Sequence, residues 1–168
     1  MKPDNEFNGE IMGLLILSLF GNANAYTDDD FHRTWFWMDE PKVIEICDDI
    51  SITKEMVEES LQFWIDNKVI KEKIKIELVS DCNDYYHMDA IMITKHKNFN
   101  IDKYYAMTFL DEWNGQGILG ARIEIDPIEH ENIILMIHEL GHALGIGHEE
   151  EDIYHIMYPK VLSTSTKI

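Results

Sequence analysis

The sequence predicts an α+β domain in which a twisted, mixed β-sheet is backed by two main helices. Short segments of alternating or β-branched apolar residues predict the strands, and two longer apolar segments predict the helices. Strands separated by helices and long loops are typical of a mixed sheet. With 168 residues, 45% of them hydrophobic, the chain can bury a single core.

The first half of the chain predicts two strands with a helix between them. Residues 43–46 predict the first strand, and residues 74–79 alternate apolar and polar side chains like a second. Residues 53–66 predict the helix, because Thr53 can cap its first turn and Glu55 places a negative charge near its N-terminus. Its apolar face packs against a core and consists of Met56, Val57, Leu61, Trp64 and Ile65.

Residues 138–148 read H-E-x-x-H-x-x-G-x-x-H, which is the typical pattern of a catalytic zinc site. His138 and His142 lie one helical turn apart, so both imidazoles can face one ion. Glu139 lies at the edge of the same face, where it can reach a metal-bound water without being a ligand. The spacing therefore predicts two ligands and an acid/base group on one helix.

A third histidine can complete the predicted site. Catalytic zinc typically takes three protein ligands and a water, and His148 can supply the third. The chain must turn back to bring it there, and Gly145 can take the left-handed conformation that ends a helix. Two alternatives are hydrogen-bonded histidines on a core helix and a structural zinc. A structural site, however, is expected to close with a fourth protein ligand, often cysteine, and none is nearby.

Downstream of this motif, residues 156–159 read Ile-Met-Tyr-Pro. With both features the chain resembles the metzincin peptidases, and within them the matrixins, whose Met-turn commonly reads L-M-Y-P. The resemblance implies a zinc-dependent endopeptidase with one catalytic zinc and Glu139 as general base. Met157 is then expected to form an apolar base beneath the metal without touching substrate. The alternative is a non-catalytic zinc-containing binding module of a larger assembly.

The resemblance covers roughly residues 43–159 and implies a zincin-like sheet of five strands with one antiparallel edge strand. Residues 89–93 and 120–126 resemble its third and fifth strands, and the active-site helix is expected to begin near Asn132. Residues 104–110 fall at the edge strand, along which an extended peptide would align by strand addition. The substrate-binding residues predicted on this basis are Ala106, Met107, Thr108, Tyr158 and Pro159.

Two departures from the matrixins concern further metals. Met107 and Glu124 stand about where two histidine ligands of the matrixin structural zinc would be, which leaves only His96 as a candidate. We therefore expect no second zinc. Calcium sites are usual in that family, and the acidic residues that could bind Ca²⁺ here are Asp111, Glu112 and Asp126.

A third departure lies beyond the Met-turn, where matrixins continue into a pocket wall and a C-terminal helix. Here the tail after Pro159 is short and β-branched, which does not favour such a helix. We therefore expect the floor of the substrate pocket to be open or filled by another segment.

Residues 1–25 have features of a signal peptide. Residues 11–20 are an apolar run too short to span a bilayer, and residues 23–25 have the small-x-small form of a signal-peptidase site. We therefore expect a secreted protein with its catalytic domain in residues 26–168 and no stable membrane span. Acidic residues near the N-terminus favour the alternative that the segment stays attached and packs as a helix.

The chain has two cysteines, Cys47 and Cys82, and each follows the end of a predicted strand. The matrixin topology makes those strands parallel neighbours, so the resemblance implies that a disulfide can join them in an exported protein. The alternative is two unpaired, buried thiols. Neither cysteine lies in the latency motif of matrixins, and residues 28–30, three aspartates, could cover the zinc instead.

The formal net charge of −18 indicates which classes of binding partner are favoured. It argues against nucleic acid and anionic membrane surfaces, which need basic patches, and favours cationic protein or peptide substrates. An equal alternative is that the charge only keeps the protein soluble. The sequence gives no indication of the oligomeric state.

Overall fold

The computed structural model describes residues 31–80, 82, 87–95, 105–112, 115, 117–126 and 132–159. Within these residues, five strands and two helices form the predicted α+β architecture. The strands are β1 (Val43–Cys47), β2 (Lys75–Val79), β3 (Ala90–Lys95), β4 (Ala106–Glu112) and β5 (Ile118–Ile125). The helices are α1 (Lys54–Asp66) and α2 (Ile133–Ala143).

The strands form one sheet in the order β2-β1-β3-β5-β4. Neighbouring strands are parallel, except that β4 runs antiparallel to β5 at the edge. The prediction of a mixed sheet with one antiparallel edge strand is therefore confirmed. The central strand β3 is buried along residues 90–94, as expected for a parallel strand covered on both faces.

Both helices begin with a capped first turn: Thr53 caps α1 as predicted, and Asn132, near which the second helix was expected to begin, caps α2. The Thr53 hydroxyl accepts a hydrogen bond from the Met56 backbone amide at 3.2 Å, and the Asn132 side chain accepts one from Leu135 at 3.1 Å. Each cap satisfies an amide that the helix itself leaves without a partner. The cap at Asn132 thus fixes where α2 starts, and with it the positions of the motif residues.

The two helices pack closely against each other along the part of α2 that carries the histidine motif. The buried indole of Trp64 donates a hydrogen bond to the Ile137 carbonyl oxygen at 3.0 Å, which joins the helices through a polar contact inside the core. A Cβ atom on Gly141 would overlap the Trp64 ring. Glycine costs up to about 1 kcal/mol in a helix interior, and here it permits this close approach.

A disulfide joins Cys47 to Cys82, with their Cα atoms 5.9 Å apart. It lies beside the parallel pair β1 and β2, in which Cys47 is opposite Val79. The predicted pairing is confirmed. Disulfides persist in oxidising compartments, so the bond indicates such an environment.

Several predictions concern residues outside the described ranges, namely the segment 1–25, residues 28–30, His96, Tyr104 and the tail after Pro159. In the described part of the chain, no helix combines the length and the apolar character needed to cross a membrane.

Candidate metal centre

The three motif histidines converge on one point. The Nε2 atom of His142 lies 3.1 Å from Nε2 of His138 and 3.0 Å from Nε2 of His148. Helix α2 carries the first two imidazoles on one face, and the following turn brings the third to them. Among the described residues, these three form the group of potential ligands that could hold a metal ion.

The outer nitrogen atoms of two of these rings fix which tautomer is present. Nδ1 of His138 lies 2.7 Å from the Ile156 carbonyl oxygen, and Nδ1 of His142 lies 2.8 Å from that of Ile146. Because a carbonyl oxygen can only accept, each Nδ1 carries the proton, and in a neutral ring each Nε2 then presents a lone pair. Backbone carbonyls play this orienting role for metal-bound histidines in general.

The charge state of the rings also suits a metal. Burial lowers the pKa of His138 to about 4 and that of His142 to about 3, against the opposing effect of their carbonyl partners. Partial burial also lowers the pKa of His148. The first two rings are therefore neutral at pH 7, and their lone pairs face each other at a distance that a shared cation stabilises. The donor set fits a metal ion.

The turn between the second and third histidines depends on Gly145, as predicted. Its φ of 93° lies in the left-handed region. The Gly145 amide donates to the His142 carbonyl oxygen and the Ile146 amide to that of Gly141, both at 2.9 Å. These bonds end α2 and redirect the chain toward His148.

An N-terminal strap, residues 31–37, lies against this turn. The amides of Thr34 and Trp35 donate to the Gly145 carbonyl oxygen at 2.9 and 3.0 Å, and the Gly147 amide donates to that of His32 at 2.9 Å. The indole of Trp37 adds a hydrogen bond to the Ala143 carbonyl oxygen at 2.9 Å. The strap therefore supports the backbone that carries His148. The sequence did not predict it, because these irregular backbone contacts leave no periodic pattern.

We expect Gly145→Ala to destabilise the protein and weaken metal binding more than Gly115→Ala does. Both glycines have a positive φ, which costs alanine roughly 1–2 kcal/mol. A Cβ atom at Gly115 would meet nothing within 4 Å, whereas at Gly145 it would overlap the Trp35 carbonyl oxygen of the strap. Denaturant unfolding and chelator competition measure the two effects. Equal losses in both variants would show that the strap contact contributes nothing.

The Glu139 side chain is buried beside the histidines, being 6% exposed. One of its carboxylate oxygens, Oε2, accepts a hydrogen bond of 2.6 Å from the Thr108 hydroxyl on β4. Burial raises the pKa of Glu139 to about 7, and the bond from Thr108 acts in the opposite direction. Holding this carboxylate ionised in so buried a place is easier beside a cation, so Glu139 also suits an adjacent metal.

Met157 is fully buried and packs against the motif helix. A Cβ atom on Gly141 would come within 2.7 Å of its sulfur atom, and the preceding residue, Ile156, accepts the bond from His138. Its position agrees with a packing role beneath the histidines.

The other predicted site residues differ in how far they are buried. On β4, Ala106 is buried, whereas Met107 and Thr108 are half-buried. After the Met-turn, Tyr158 is half-buried and Pro159 is exposed. Of these five, Thr108 contacts the motif directly through Glu139. Substrate contacts for the others stay predictions.

The residues considered for a second zinc or for calcium do not belong to the histidine cluster. Met107 and Glu124 lie directly opposite each other in the β4–β5 register, and Glu124 pairs with Arg122 at 2.9 Å. In the described part of the chain, Asp111, Glu112 and Asp126 do not belong to a group of potential metal ligands. Calcium binding therefore stays a prediction.

Compared with models of known protein families and with curated protein sequences, the chain matches none.

Proposed function

We propose that this chain is a zinc-dependent endopeptidase of the metzincin class, similar to the matrixins. The observation that carries the proposal is that three histidine Nε2 atoms converge beside the buried carboxylate of Glu139, which does not belong to the group of potential ligands. A metal site kept for structure alone needs no such carboxylate. Catalytic zinc, in contrast, is typically bound by three protein ligands and paired with a general base.

The roles of the residues follow from this arrangement. His138, His142 and His148 would hold the ion through Nε2. When bound, Zn²⁺ would polarise the scissile carbonyl group and lower the pKa of a water molecule toward 7. Glu139 takes the proton from the attacking water and passes it to the leaving amine, since one carboxylate can serve first as base and then as acid.

Strand β4 provides a surface on which a peptide substrate can align. It pairs with β5 on one side and, among the described strands, has no partner on the other. An extended peptide can form main-chain hydrogen bonds with such an edge. Since the same strand contacts Glu139 through Thr108, a peptide bound there would lie close to the reacting groups.

We further propose that the protein acts outside the cytoplasm. The Cys47–Cys82 disulfide supports this location, because such bonds form and persist in exported proteins. The apolar segment and small-x-small residues within 1–25 agree with export.

We expect purified protein to bind one zinc per chain, since the described residues provide one group of three ligands. His142→Ala should lose tight binding, because it removes the ligand whose Nε2 lies within 3.1 Å of both others. The exposed His32, outside this group, provides the control His32→Ala. Elemental analysis after chelator dialysis measures the content. Two equivalents would reveal a second site, and none would contradict the metal centre.

Cleavage of a peptide library tests the endopeptidase proposal directly. Mass spectrometry would identify internal peptide bonds that are cut, and chelation followed by Zn²⁺ addition should abolish and restore the cutting. A zinc-loaded protein that cleaves no peptide would favour the non-catalytic binding module.

A further inference from the structure

We propose that Thr108 is a positioning residue, whose hydroxyl group holds the Glu139 carboxylate in the orientation in which it acts as general base. This role rests on the proposed function, since it concerns how Glu139 performs the reaction. The sequence placed Thr108 among residues that contact substrate. The structure instead directs its hydroxyl group at a neighbouring carboxylate.

The contact has the geometry of a strong hydrogen bond. Oγ1 of Thr108 lies 2.6 Å from Oε2 of Glu139, and it also lies 3.1 Å from the Glu139 backbone oxygen. A hydroxyl group has one proton to donate. The shorter distance falls in the range of O–H bonds to ionised carboxylates, roughly 2.5–2.7 Å, so the carboxylate is the favoured acceptor.

Thr108 also lies on a rigid element. It is opposite Ile123 in the β4–β5 register, and the central residues of both strands are paired. Residues that hold a reacting group must themselves be held, because small misplacements of the base reduce the rate strongly. A free glutamate side chain has several rotatable bonds, and the hydroxyl group from β4 selects one orientation.

The hydrogen bond from Thr108 leaves the other carboxylate oxygen of Glu139 available to accept a proton. Among the described residues, Oε2 of Glu139 has the Thr108 hydroxyl as its partner and Oε1 has none. Oε1 is therefore the oxygen that can accept a proton from water. Because Thr108 belongs to the strand on which the peptide is proposed to lie, one element would align both the substrate and the base.

A matched pair of variants tests this role. Thr108→Val keeps the shape of the side chain and removes its hydroxyl group, whereas Thr108→Ser keeps the hydroxyl group. We expect Thr108→Val to lower kcat by about 10–100-fold, as loss of an orienting partner typically does, with KM and zinc content unchanged. Thr108→Ser should retain most of the activity. A rise in KM without loss of kcat would assign Thr108 to substrate binding and overturn the proposal.

The same change in the Glu139→Gln background shows whether Thr108 acts through Glu139. Once the base is absent, Thr108→Val should change the residual rate by less than about twofold. A residue that acts only by positioning Glu139 has no further effect on the rate when Glu139 cannot act as the base. A loss as large as in the wild-type background would show that Thr108 acts independently, and the positioning role would be wrong.

A measurement on metal-free protein separates this proposal from the endopeptidase proposal. Glutamate labelled with ¹³C at the carboxyl carbon gives one signal for Glu139, which Glu139→Gln identifies by its loss. Thr108→Val should shift that signal and Thr108→Ser should not. If wild type cleaves no peptide, the endopeptidase proposal fails, and the bond between Thr108 and Glu139 then has no catalytic purpose. The ¹³C signal of Glu139 still reports whether that bond exists. If wild type cleaves peptides and Thr108→Val equals it, only the positioning role is overturned.

Discussion

Glu139→Gln is expected to lower peptide-bond hydrolysis by at least about 10²–10⁴-fold, the usual contribution of a general base. Glutamine has nearly the same shape, and its carbonyl oxygen can still accept the hydrogen bond from Thr108. It has no basic oxygen that could take a proton from water. Because Glu139 does not belong to the group of potential metal ligands, zinc content and thermal unfolding should stay close to wild type.

A second acidic residue provides the matched control. Glu150 is exposed and lies near His148, where its charge raises the pKa of that ring. Glu150→Gln therefore removes the same charge beside the candidate metal centre without touching the proposed base, and its rate should remain near that of wild type. Comparable losses in both variants would indicate a general electrostatic effect. A Glu139→Gln protein as active as wild type would remove Glu139 from the mechanism.

Local sequence signals were sufficient for α1 and for the candidate metal ligands, whereas the resemblance to matrixins placed the start of α2. Thr53 caps α1 where the sequence predicts, because a capping side chain bonds amides only a few residues away, whereas the cap at Asn132 was not predicted. The histidine cluster was equally predictable, since two ligands lie one helical turn apart and a glycine turn brings the third. Each of these features is determined within about ten residues of chain.

Long-range contacts were less accessible to prediction. Strand β5 begins at Ile118 rather than at the predicted Gly120, since Ile118 pairs with Glu112 of β4 beyond a shift in the register. Ile118 also exchanges backbone hydrogen bonds with Phe36 and Met38. The bond between Thr108 and Glu139 likewise joins residues 31 positions apart and depends on the position of β4 beside α2. Residue types at these positions do not encode such geometry, and only the resemblance to matrixins placed Thr108 near the site.

The largest expected effect on stability concerns the disulfide. Replacing both Cys47 and Cys82 with alanine should lower the free energy of unfolding by about 4 kcal/mol, the loop-entropy value for a closure over 35 residues. Small domains typically have only about 5–15 kcal/mol in total, so the loss would be a large fraction of it. Alanine is preferable to serine at Cys47, which is 1% exposed, because a hydroxyl group buried there without a partner would add its own cost.

Chemical reduction of the wild-type protein is the matched control for this prediction. It opens the cross-link and keeps both side chains, so it separates the entropy of the loop from the packing of Cys47. Denaturant unfolding of the reduced protein and of the double variant should give losses within about 1 kcal/mol of each other if the cross-link dominates. A much larger loss in the variant would assign the effect to packing. Strand β2 is the sheet edge opposite β4 and β1 is its neighbour, so zinc content of the folded fraction should not change in either case.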